Sequence, residues 1–472
     1  MNNTKKRYNL VYVFADQWRA QAFGFAGDPN VHTPHLDHFA SEAVCVENAV
    51  STCPVCAPYR GSMITGRLPL HNGIISNDIR LKADNPGVGR EFQKAGYRTA
   101  YIGKWHLYAG GRSGHIPPEY RMGFEYWKVL ECTHDYLNSQ YYNQDETSLS
   151  TWRGYDADAQ TDDAISFLES ATAESRPFAL FLSWGPPHAP PPYERLSPYD
   201  QFPSDLAEMY DPARLLLRSN VPAAEEEGAR QVLSGYYAHC TALDRAFGRL
   251  YKSLAERELL EDTVVVFTSD HGDMLGSQGL YKKQSPFDES VRVPFLIRIP
   301  GIPARRDTEL FVEPEDILPT MLAVSGGWPV DCDPPPELGL DGRNLASALR
   351  GEAPAPTDAV VLALYIANGQ WREGRDGGPL GYHGREYRGL RTLRYTYVRE
   401  LSGPWLLFDN IADPFQMENL ANRAEYATIQ ASLDDTLMQE LLLRSDRFEP
   451  GPVYIHRFRL EVDEFNSVRF VQ

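Results

Sequence analysis

Three stretches of the chain are almost wholly apolar, and polar residues follow each of them within four positions. They are residues 10–15, 177–184 and 263–268. Strands that are buried on both faces of a parallel sheet have this composition, whereas half-buried strands alternate apolar and polar positions. The pattern therefore predicts central strands of a parallel sheet, with polar side chains gathered at their carboxyl ends.

Segments with helical periodicity separate these strands. Residues 34–49 predict a helix followed by a strand, residues 96–106 a strand that runs into a loop, and residues 223–257 a long helix with an apolar stripe. Alternating strands and helices are typical of α/β domains, in which ligands bind beyond the carboxyl ends of the strands. We therefore expect one α/β domain whose polar clusters lie along a single sheet edge.

The pattern changes in the last quarter of the chain. Residues 360–365 and 387–399 alternate as half-buried strands do, with Gly-rich turns between the strands, and residues 424–444 predict a helix. We therefore predict a large α/β domain, residues 1–352, followed by a smaller α+β domain with a small antiparallel sheet, residues 353–472.

Net charge restricts the partners of the protein. The 472 residues include 64 acidic and 46 basic ones, which gives a formal net charge of −18. This balance disfavours a nucleic-acid partner, and an anionic substrate would need a local positive pocket. No run approaches the roughly 20 apolar residues of a membrane span, and the first residues do not form a signal peptide. We expect a cytoplasmic protein without a membrane partner, or a periplasmic or secreted one if a leader has been removed.

Six cysteines in a chain of this length are not a disulfide framework. Cys53 and Cys56 form a Cys-x-x-Cys motif, which is compatible with redox chemistry or with half of a zinc site. No second cysteine pair stands at metal-binding spacing, which disfavours zinc.

The residues after this motif predict a helix that begins near Cys56. Pro58 suits the first turn of a helix, and Gly66 can end it. Cys56 would then lie at the helix N-terminus, where unpaired N–H groups suit an anion, with Arg60 one turn further on. The local pattern fits a sulfur nucleophile beside an anion site, and it also fits a buried structural cysteine.

Further polar residues at strand ends supply candidates for a metal and for acid–base chemistry. Asp16, Gln17, Asp270 and His271 offer two carboxylates, an amide oxygen and an imidazole, which together suit a divalent metal. Cationic or titratable side chains recur in the loops after the strands, where they could bind an anion and protonate a leaving alkoxide. They are Lys104, His106, His188 and Lys283.

The sequence Cys56-Ala57-Pro58-Tyr59-Arg60, continued by Thr65-Gly66-Arg67, resembles the signature of type I sulfatases. Other segments look like the remaining motifs of that family and follow in its order. They are residues 14–17, 96–106, 187–188, 269–272, 283–294 and, in the C-terminal part, 409–420. The resemblance implies an alkaline phosphatase-like fold, which is a large mixed and mostly parallel sheet flanked by helices, and hydrolysis of a sulfate ester.

The resemblance also implies a mechanism. Cys56 would be oxidised to Cα-formylglycine by a formylglycine-generating enzyme, and a hydroxyl of the hydrated aldehyde would attack the sulfur of the substrate. Arg60 and Lys104 would hold the nucleophile and its charge, and His106 would help to break down the covalent intermediate. His188 would be the general acid for the leaving alcohol, and Lys283 would bind a sulfate oxygen.

Two motifs depart from the pattern of many family members, which carry Asp-Asp and Asp-Asn at the metal. Here they are Asp16-Gln17 and Asp270-His271, as in choline sulfatases, phosphonate monoester hydrolases and some bacterial carbohydrate sulfatases. We expect Ca²⁺ at these residues, with Mn²⁺ as the alternative because one ligand is a nitrogen. The alternative activities are a phosphonate monoester or phosphodiester hydrolase and a choline-type or aryl sulfatase. An inactive relative with an unoxidised Cys56 is a third possibility.

A sulfated sugar is the expected substrate. Residues 112–155 are irregular and rich in Tyr, Trp and His, and such side chains can stack on and hydrogen-bond a pyranose. About half of these aromatic residues are expected to be core. The candidate substrate contacts are His134, Asp135, Tyr136, His383 and Arg385.

Overall fold

In the computed structural model, residues 6–190, 199–366, 385–463 and 466–469 are described. Ten strands form one mixed sheet in which most central neighbours are parallel. In sheet order they are β10 (Arg305–Val312), β2 (Val44–Ala49), β9 (Phe295–Arg298), β8 (Thr263–Ser269), β1 (Asn9–Asp16), β7 (Phe178–Pro187), β3 (Arg98–Lys104), β4 (Tyr126–Leu130), β5 (Gln140–Asn143) and β6 (Leu149–Thr151).

Helices cover both faces of this sheet, and a second, smaller sheet follows later in the chain. The helices are α1 (Pro34–Ala40), α2 (Cys56–Thr65), α3 (Pro69–Asn72), α4 (Val88–Lys94), α5 (Asp156–Thr172), α6 (Glu226–Glu256), α7 (Asp288–Val291), α8 (Ile317–Val324), α9 (Ala346–Leu349), α10 (Ala427–Leu443) and α11 (Gly451–Arg457). The second sheet is antiparallel. Its strands are β11 (Ala359–Leu364), β12 (Tyr387–Thr392), β13 (Tyr395–Glu400) and β14 (Gly403–Asp409).

Strand β1 lies at the centre of the molecule because both of its faces are buried. Alternate residues such as Tyr12 and Phe14 belong to the core beneath α2, α4 and α8. Their neighbours Val11 and Val13 belong to the core beneath α1, α5 and α6. The predicted fold class, a large mixed and mostly parallel sheet flanked by helices with a smaller C-terminal antiparallel sheet, is confirmed. The predicted domain boundary after residue 352 stays a prediction.

Three segments differ from the sequence-based expectation. Residues 387–399 form two strands rather than one, because the chain reverses between β12 and β13 at a turn without Gly or Pro. The irregular segment contributes β4, β5 and β6, whose three to five residues are too short for a clear pattern. Helix α6 begins at Glu226, after a short 3₁₀ turn. Among the described residues, every helix is too short or too polar to cross a bilayer.

Candidate active site

Cys56 is the first residue of α2 and lies beside the carboxyl end of β1. All residues of the helix are buried, and Cys56 exposes 1% of its surface. The Asn77 side chain accepts a hydrogen bond from the backbone N–H of Ala57 at 2.9 Å, which satisfies one unpaired donor of the helix start. The helix ends at Gly66, whose φ of 66° is left-handed, so the predicted helix is confirmed.

Arg60 connects this helix to two strand ends. Its Nη2 atom lies 3.3 Å from Oδ2 of Asp16, which ends β1, and 3.0 Å from Oδ2 of Asp270, which follows β8. Its Nη1 atom donates to the Lys104 carbonyl oxygen at 2.9 Å and to the Ser183 hydroxyl at 2.8 Å. Because the guanidinium is fully buried and planar, these bonds fix the two carboxylates relative to the helix.

Two buried lysines add positive charge to the same place. Lys104, the last residue of β3, places Nζ 2.5 Å from Oδ2 of Asp16. Lys283 donates from Nζ to the sulfur of Cys56 at 3.1 Å. Their side chains are almost wholly excluded from solvent. The local positive charge that the net charge makes necessary for an anionic substrate is therefore concentrated beside Cys56.

His271 is directed towards the carboxylates by its backbone. Its Nδ1 lies 3.0 Å from the Gly272 carbonyl oxygen, which can only accept, so Nδ1 carries a hydrogen. Its Nε2 lies 3.5 Å from Oδ1 of Asp16, 3.5 Å from Oδ1 of Asp270 and 3.3 Å from Sγ of Cys56. One ligand atom from each of these four residues lies within 4.8 Å of the others.

The charges of the cluster favour an anion at position 56. Burial and Asp16 raise the pKa of the Cys56 thiol, but Lys283, Lys104 and His271 outweigh them, so this pKa lies well below its usual value. Burial also raises the pKa of Asp16, yet neighbouring cations, Lys104 first, bring it well below the usual carboxyl range. Neighbouring cationic side chains therefore favour the anionic form of both groups.

His106 approaches the cluster from the loop after β3. Its Nε2 lies 3.3 Å from Oδ1 of Asp78, and its ring interacts with Cys56. Burial lowers the pKa of His106, but Cys132, Asp78 and Cys56 raise it to about 10. His106 and Asp78 both have a positive φ, 61° and 63°, a strained conformation that persists where the surroundings demand it.

His188 follows β7 on another side of the cluster. Its Nδ1 lies 2.9 Å from the Ala189 carbonyl oxygen, so Nε2 is the ring atom that exchanges a proton. Burial, Lys283 and His134 lower the pKa of His188 well below its usual value, which keeps the imidazole neutral. The rings of His134 and His188 lie 4.2 Å apart between centroids.

The family model "Sulfatase" matches residues 8–327, a range that contains every residue of this cluster. The chain belongs to the sulfatase family. A second family model, "N-sulphoglucosamine sulphohydrolase, C-terminal", matches residues 276–442. As a sulfatase, the protein is a sulfuric ester hydrolase.

Relatives cover almost the whole chain of this sulfatase. The ulvan-active sulfatase of Formosa agariphila is 39% identical over 455 residues, which are 95% of this chain and 84% of the relative. The endo-4-O-sulfatase of Bacteroides thetaiotaomicron is 31% identical and covers 93% of this chain and 94% of its own. A solved structure concerned with glycosaminoglycan metabolism by the same bacterium has a TM-score of 0.80 and 29% identity, with 96% of this chain and 99% of the other covered.

Membership of the sulfatase family implies a metal and a formylglycine, and the described residues fit both. Ligands about 2.4 Å from a cation and at right angles to each other lie about 3.4 Å apart. Nε2 of His271 lies 3.5 Å from Oδ1 of Asp16 and 3.5 Å from Oδ1 of Asp270. The amide oxygen of Gln17 is buried and has no hydrogen-bond partner among the described residues, as expected of a further ligand. The Cys56 sulfur stands in for an oxygen of the hydrated aldehyde.

The candidate substrate contacts are dispersed. His134 lies at the site beside His188. Asp135 is exposed and accepts hydrogen bonds from Asn138 within its own loop. Tyr136 is fully buried, and its hydroxyl donates to the carbonyl oxygens of Gly185 and His188. These bonds favour a role in supporting the segment that carries His188.

The two candidates from the C-terminal part have different outcomes. Arg385 pairs with Glu400 at 2.7 Å and lies over the Trp405 ring in the second sheet. No contact between described residues joins it to the Cys56 cluster. His383 lies outside the described residues.

Several residues that surround the site were not found from the sequence. Asn77 accepts a hydrogen bond from Ala57, the neighbour of Cys56, and predicted site residues are contacted by Asp78, Ser183, Tyr199 and Asp273. Asp273 had a signal, since it closes the Asp-His-Gly-Asp sequence after β8. Asn77, Asp78 and Tyr199 lie in turns and loops, where a polar residue is ordinary, and Ser183 is a polar residue within a buried strand. Only the folded chain reveals their partners.

Proposed function

We propose that this sulfatase removes sulfate from a sulfated saccharide, with a formylglycine made from Cys56 as the source of the nucleophile. The observation that carries the proposal is the position of Cys56, buried at a helix start between two lysines, an arginine and two carboxylates. The saccharide is supported by the relatives that cover most of the chain, which are named for ulvan and for 4-O-sulfated substrates.

The basic residues are proposed to divide the work on the sulfate group. Lys283 reaches the Cys56 side chain and would bind a sulfate oxygen that lies against it. Arg60 and Lys104 hold Asp16 and compensate the charge on the nucleophile. His106, which Asp78 and its other neighbours hold protonated, would donate a hydrogen bond to the group at position 56 and so help to break down the covalent intermediate.

His188 is proposed to be the general acid. It is neutral in the resting site because burial and two neighbours, Lys283 first, lower its pKa. A bound sulfate brings negative charge to the pocket and favours the imidazolium. With Nδ1 held by the Ala189 carbonyl, the added proton would reside on Nε2, from which it passes to the leaving alcohol.

Ca²⁺ is the proposed cation, held by Asp16, Gln17, Asp270 and His271. Three of these four ligands offer oxygen, which hard cations prefer, and the single nitrogen leaves Mn²⁺ as the alternative. When bound, the cation would polarise the hydroxyl at position 56 and the sulfate oxygens. A formylglycine-generating enzyme is the maturation partner that the proposal requires.

The test begins with the chemical state of Cys56. The protein is produced together with a formylglycine-generating enzyme, and the mass of the peptide that contains residue 56 gives the converted fraction. Converted protein and the Cys56→Ala control are then assayed for sulfate release from a panel of sulfated saccharides. We expect release by the converted protein alone. Full conversion with no release from any saccharide would disprove the saccharide proposal.

A matched pair of esters tests the alternative activity. A nitrophenyl sulfate and the corresponding phosphonate monoester differ at the transferred group and share the leaving group. Both groups carry one negative charge, but the sulfate offers three terminal oxygens to the cationic side chains, whereas the phosphonate offers two and a carbon substituent. We therefore expect kcat/KM to favour the sulfate by about a hundredfold or more. A preference for the phosphonate would identify a phosphonate hydrolase on this scaffold.

A further inference from the structure

Gln17 is held by its nitrogen, while its oxygen has no partner within the described part of the chain. Its Nε2 donates to Oδ2 of Asp273 at 2.6 Å and lies 3.4 Å from the hydroxyl of Tyr199. Its Oε1 is buried and has no hydrogen-bond partner there. A buried carbonyl oxygen without a partner destabilises the fold, so this orientation of the amide needs a cause.

The cause lies in the hydrogen bonds of Asp273. Its Oδ1 accepts from the backbone N–H of Leu275 at 3.0 Å and of Lys282 at 2.7 Å. Its Oδ2 accepts from the Tyr199 hydroxyl at 2.7 Å and from Gln17. A carboxylate has no hydrogen to donate when ionised, so only the NH₂ end of the amide can face it.

We propose that Asp273 is a positioning residue which fixes the amide of Gln17 with its oxygen towards the cation. It touches neither the substrate nor the proposed ligand atoms, and it acts by excluding the opposite orientation of the amide. This inference rests on the cation site proposed above, and it assigns a purpose to a buried carboxylate that the reaction does not use directly. Ligand-orienting partners of this kind typically change metal affinity by 10- to 100-fold.

The substitution Asp273→Asn tests the inference because it changes polarity and leaves shape almost unchanged. The two backbone N–H groups keep the Asn oxygen at the place of Oδ1, which puts the Asn NH₂ opposite Gln17. Two NH₂ groups repel each other, so Gln17 turns and presents its own NH₂ to the cation. We expect Ca²⁺ affinity to fall by about 10- to 100-fold.

A second substitution distinguishes amide orientation from a general structural effect. A glutamate at position 17 has two equivalent oxygens, so one can accept from the Asn NH₂ while the other binds the cation. The substitution Asp273→Asn should therefore cost little or no affinity when it is made in the Gln17→Glu background. A merely structural role of Asp273 would cost the same affinity in both backgrounds.

The experiment is a calcium titration by calorimetry on chelator-treated protein, for the wild type, D273N, Q17E and D273N/Q17E. Tyr199→Phe is the matched control, since it removes one hydrogen bond of Asp273 and leaves the polarity towards Gln17 unchanged. It should stay within about threefold of the wild type. Gln17→Met removes both ends of the amide and should lower the Ca²⁺ affinity by about 10- to 100-fold, as expected for D273N. It tests the amide ligand independently if D273N folds poorly.

Two results would overturn the inference. Wild-type affinity in D273N, or an equal loss in both backgrounds, would show that Asp273 does not orient the amide. Wild-type protein that binds neither Ca²⁺ nor Mn²⁺ would overturn the cation site of the proposed function together with this inference. The first pair of results leaves that cation site intact, so the two failures can be told apart.

Discussion

At the residue scale, Asp16 divides its two oxygens between different partners. Oδ2 accepts from Lys104 and Arg60, whereas Oδ1 faces His271 and the sulfur of Cys56. The charge on Oδ2 is thus compensated within the protein, and Oδ1 is left for a cation. A buried carboxylate is tolerated in this position only because donors surround it.

Lys104→Met should remove this compensation while keeping the length of the side chain. We expect kcat to fall by about 100- to 1000-fold, because a buried charge that stabilises the reacting groups has been lost. The measurement is kcat and KM on a nitrophenyl sulfate, corrected for the converted fraction of Cys56.

Lys252→Met is the control for the Lys104 prediction, since Lys252 is exposed and pairs with Glu256 on the surface of α6. Lys252→Met should leave kcat and KM unchanged. A Lys104→Met enzyme with kcat within about threefold of the wild type would contradict the role of this lysine.

At the scale of elements, the end of α2 is set by one glycine. Gly66 has a φ of 66°, and an added Cβ would lie 3.3 Å from the side chain of Leu340. Gly73, which ends α3, has a φ of 91° and nothing within 4 Å of the same position. Substitutions at the two glycines can therefore distinguish the cost of backbone strain from the cost of side-chain crowding.

Gly66→Ala should destabilise the protein more than Gly73→Ala. Both substitutions cost about 1–2 kcal/mol of unfolding free energy because alanine resists a left-handed backbone. Crowding against Leu340 adds to this cost only at Gly66. Denaturant unfolding of both variants checks the prediction, and equal losses would show that the contact with Leu340 relaxes freely.

The elements with local signals were the ones predictable from the sequence. Pro58 and Gly66 mark the start and end of α2, and unbroken apolar runs mark β1 and β8. The turn between β12 and β13 was missed because Leu393 and Arg394 carry no turn preference. Strands β4, β5 and β6 form by pairing with the edge of the sheet, which a short local pattern does not reveal.

The candidate site shows the same division. Residues that end apolar strands, such as Asp16 and Asp270, were predictable because parallel strands bring their carboxyl ends together. Ser183 and Asp273 were not assigned roles, because their contacts with Arg60 and Gln17 join positions more than 100 residues apart. Such pairs depend on the register of the strands and the paths of loops rather than on local sequence.

At the scale of the whole molecule, a buried ion pair joins the second sheet to helix α7, which precedes β9. Asp288 of α7 accepts two hydrogen bonds from Arg391 of β12, at 2.9 and 3.0 Å. Burial raises the pKa of Asp288, but Arg391 and Arg292 bring it down to about 2. The backbone of Asp288 is also held, because the Gln416 side chain accepts a hydrogen bond from the Asp288 N–H at 2.9 Å.

Stability should depend on the ionisation of Asp288. A pKa lowered from 3.8 to about 2 corresponds to about 2 kcal/mol of stability. Because the folded pKa is the lower one, this contribution is complete above about pH 4 and is lost as the pH falls through about 2. Asp288→Asn should therefore lower the free energy of unfolding by at least about 2 kcal/mol at pH 7. The difference in unfolding free energy between this variant and the wild type should become smaller in acid.

The matched control for Asp288→Asn is Asp434→Asn. Asp434 also pairs with an arginine, Arg399, at 2.9 Å, but both side chains are partly exposed. Asp434→Asn should lower the free energy of unfolding by less than about 1 kcal/mol. A wild type and Asp288→Asn that differ equally at pH 7 and at the acid limit of folding would contradict the ionisation argument.

The net charge of −18 predicts an unusual salt dependence. A polyanionic saccharide, as one member of the proposed substrate class, would be repelled by this charge at long range and attracted by the buried lysines only at short range. Raising ionic strength from about 0.01 to 0.1 M shortens the screening length from about 30 to 10 Å, which weakens the repulsion first. We expect kcat/KM on the polymer to rise severalfold over this range.

A singly charged nitrophenyl sulfate is the comparison for the salt series, because it feels much less of the long-range field. Its kcat/KM should change less than that of the polymer. A fall for the polymer over the same range would show that the positive pocket controls the approach of the substrate.

The burial of Cys56 also sets an order of events during synthesis. A modifying enzyme needs access to the thiol, yet every residue of α2 is buried. The loop before it is tied to the second sheet, since Ala363 donates to the Thr52 carbonyl oxygen at 2.8 Å. The proposed oxidation of Cys56 would therefore have to precede closure of the chain, and a molecule that folds first would keep its thiol. The active fraction of a preparation would then depend on the relative rates of folding and of maturation.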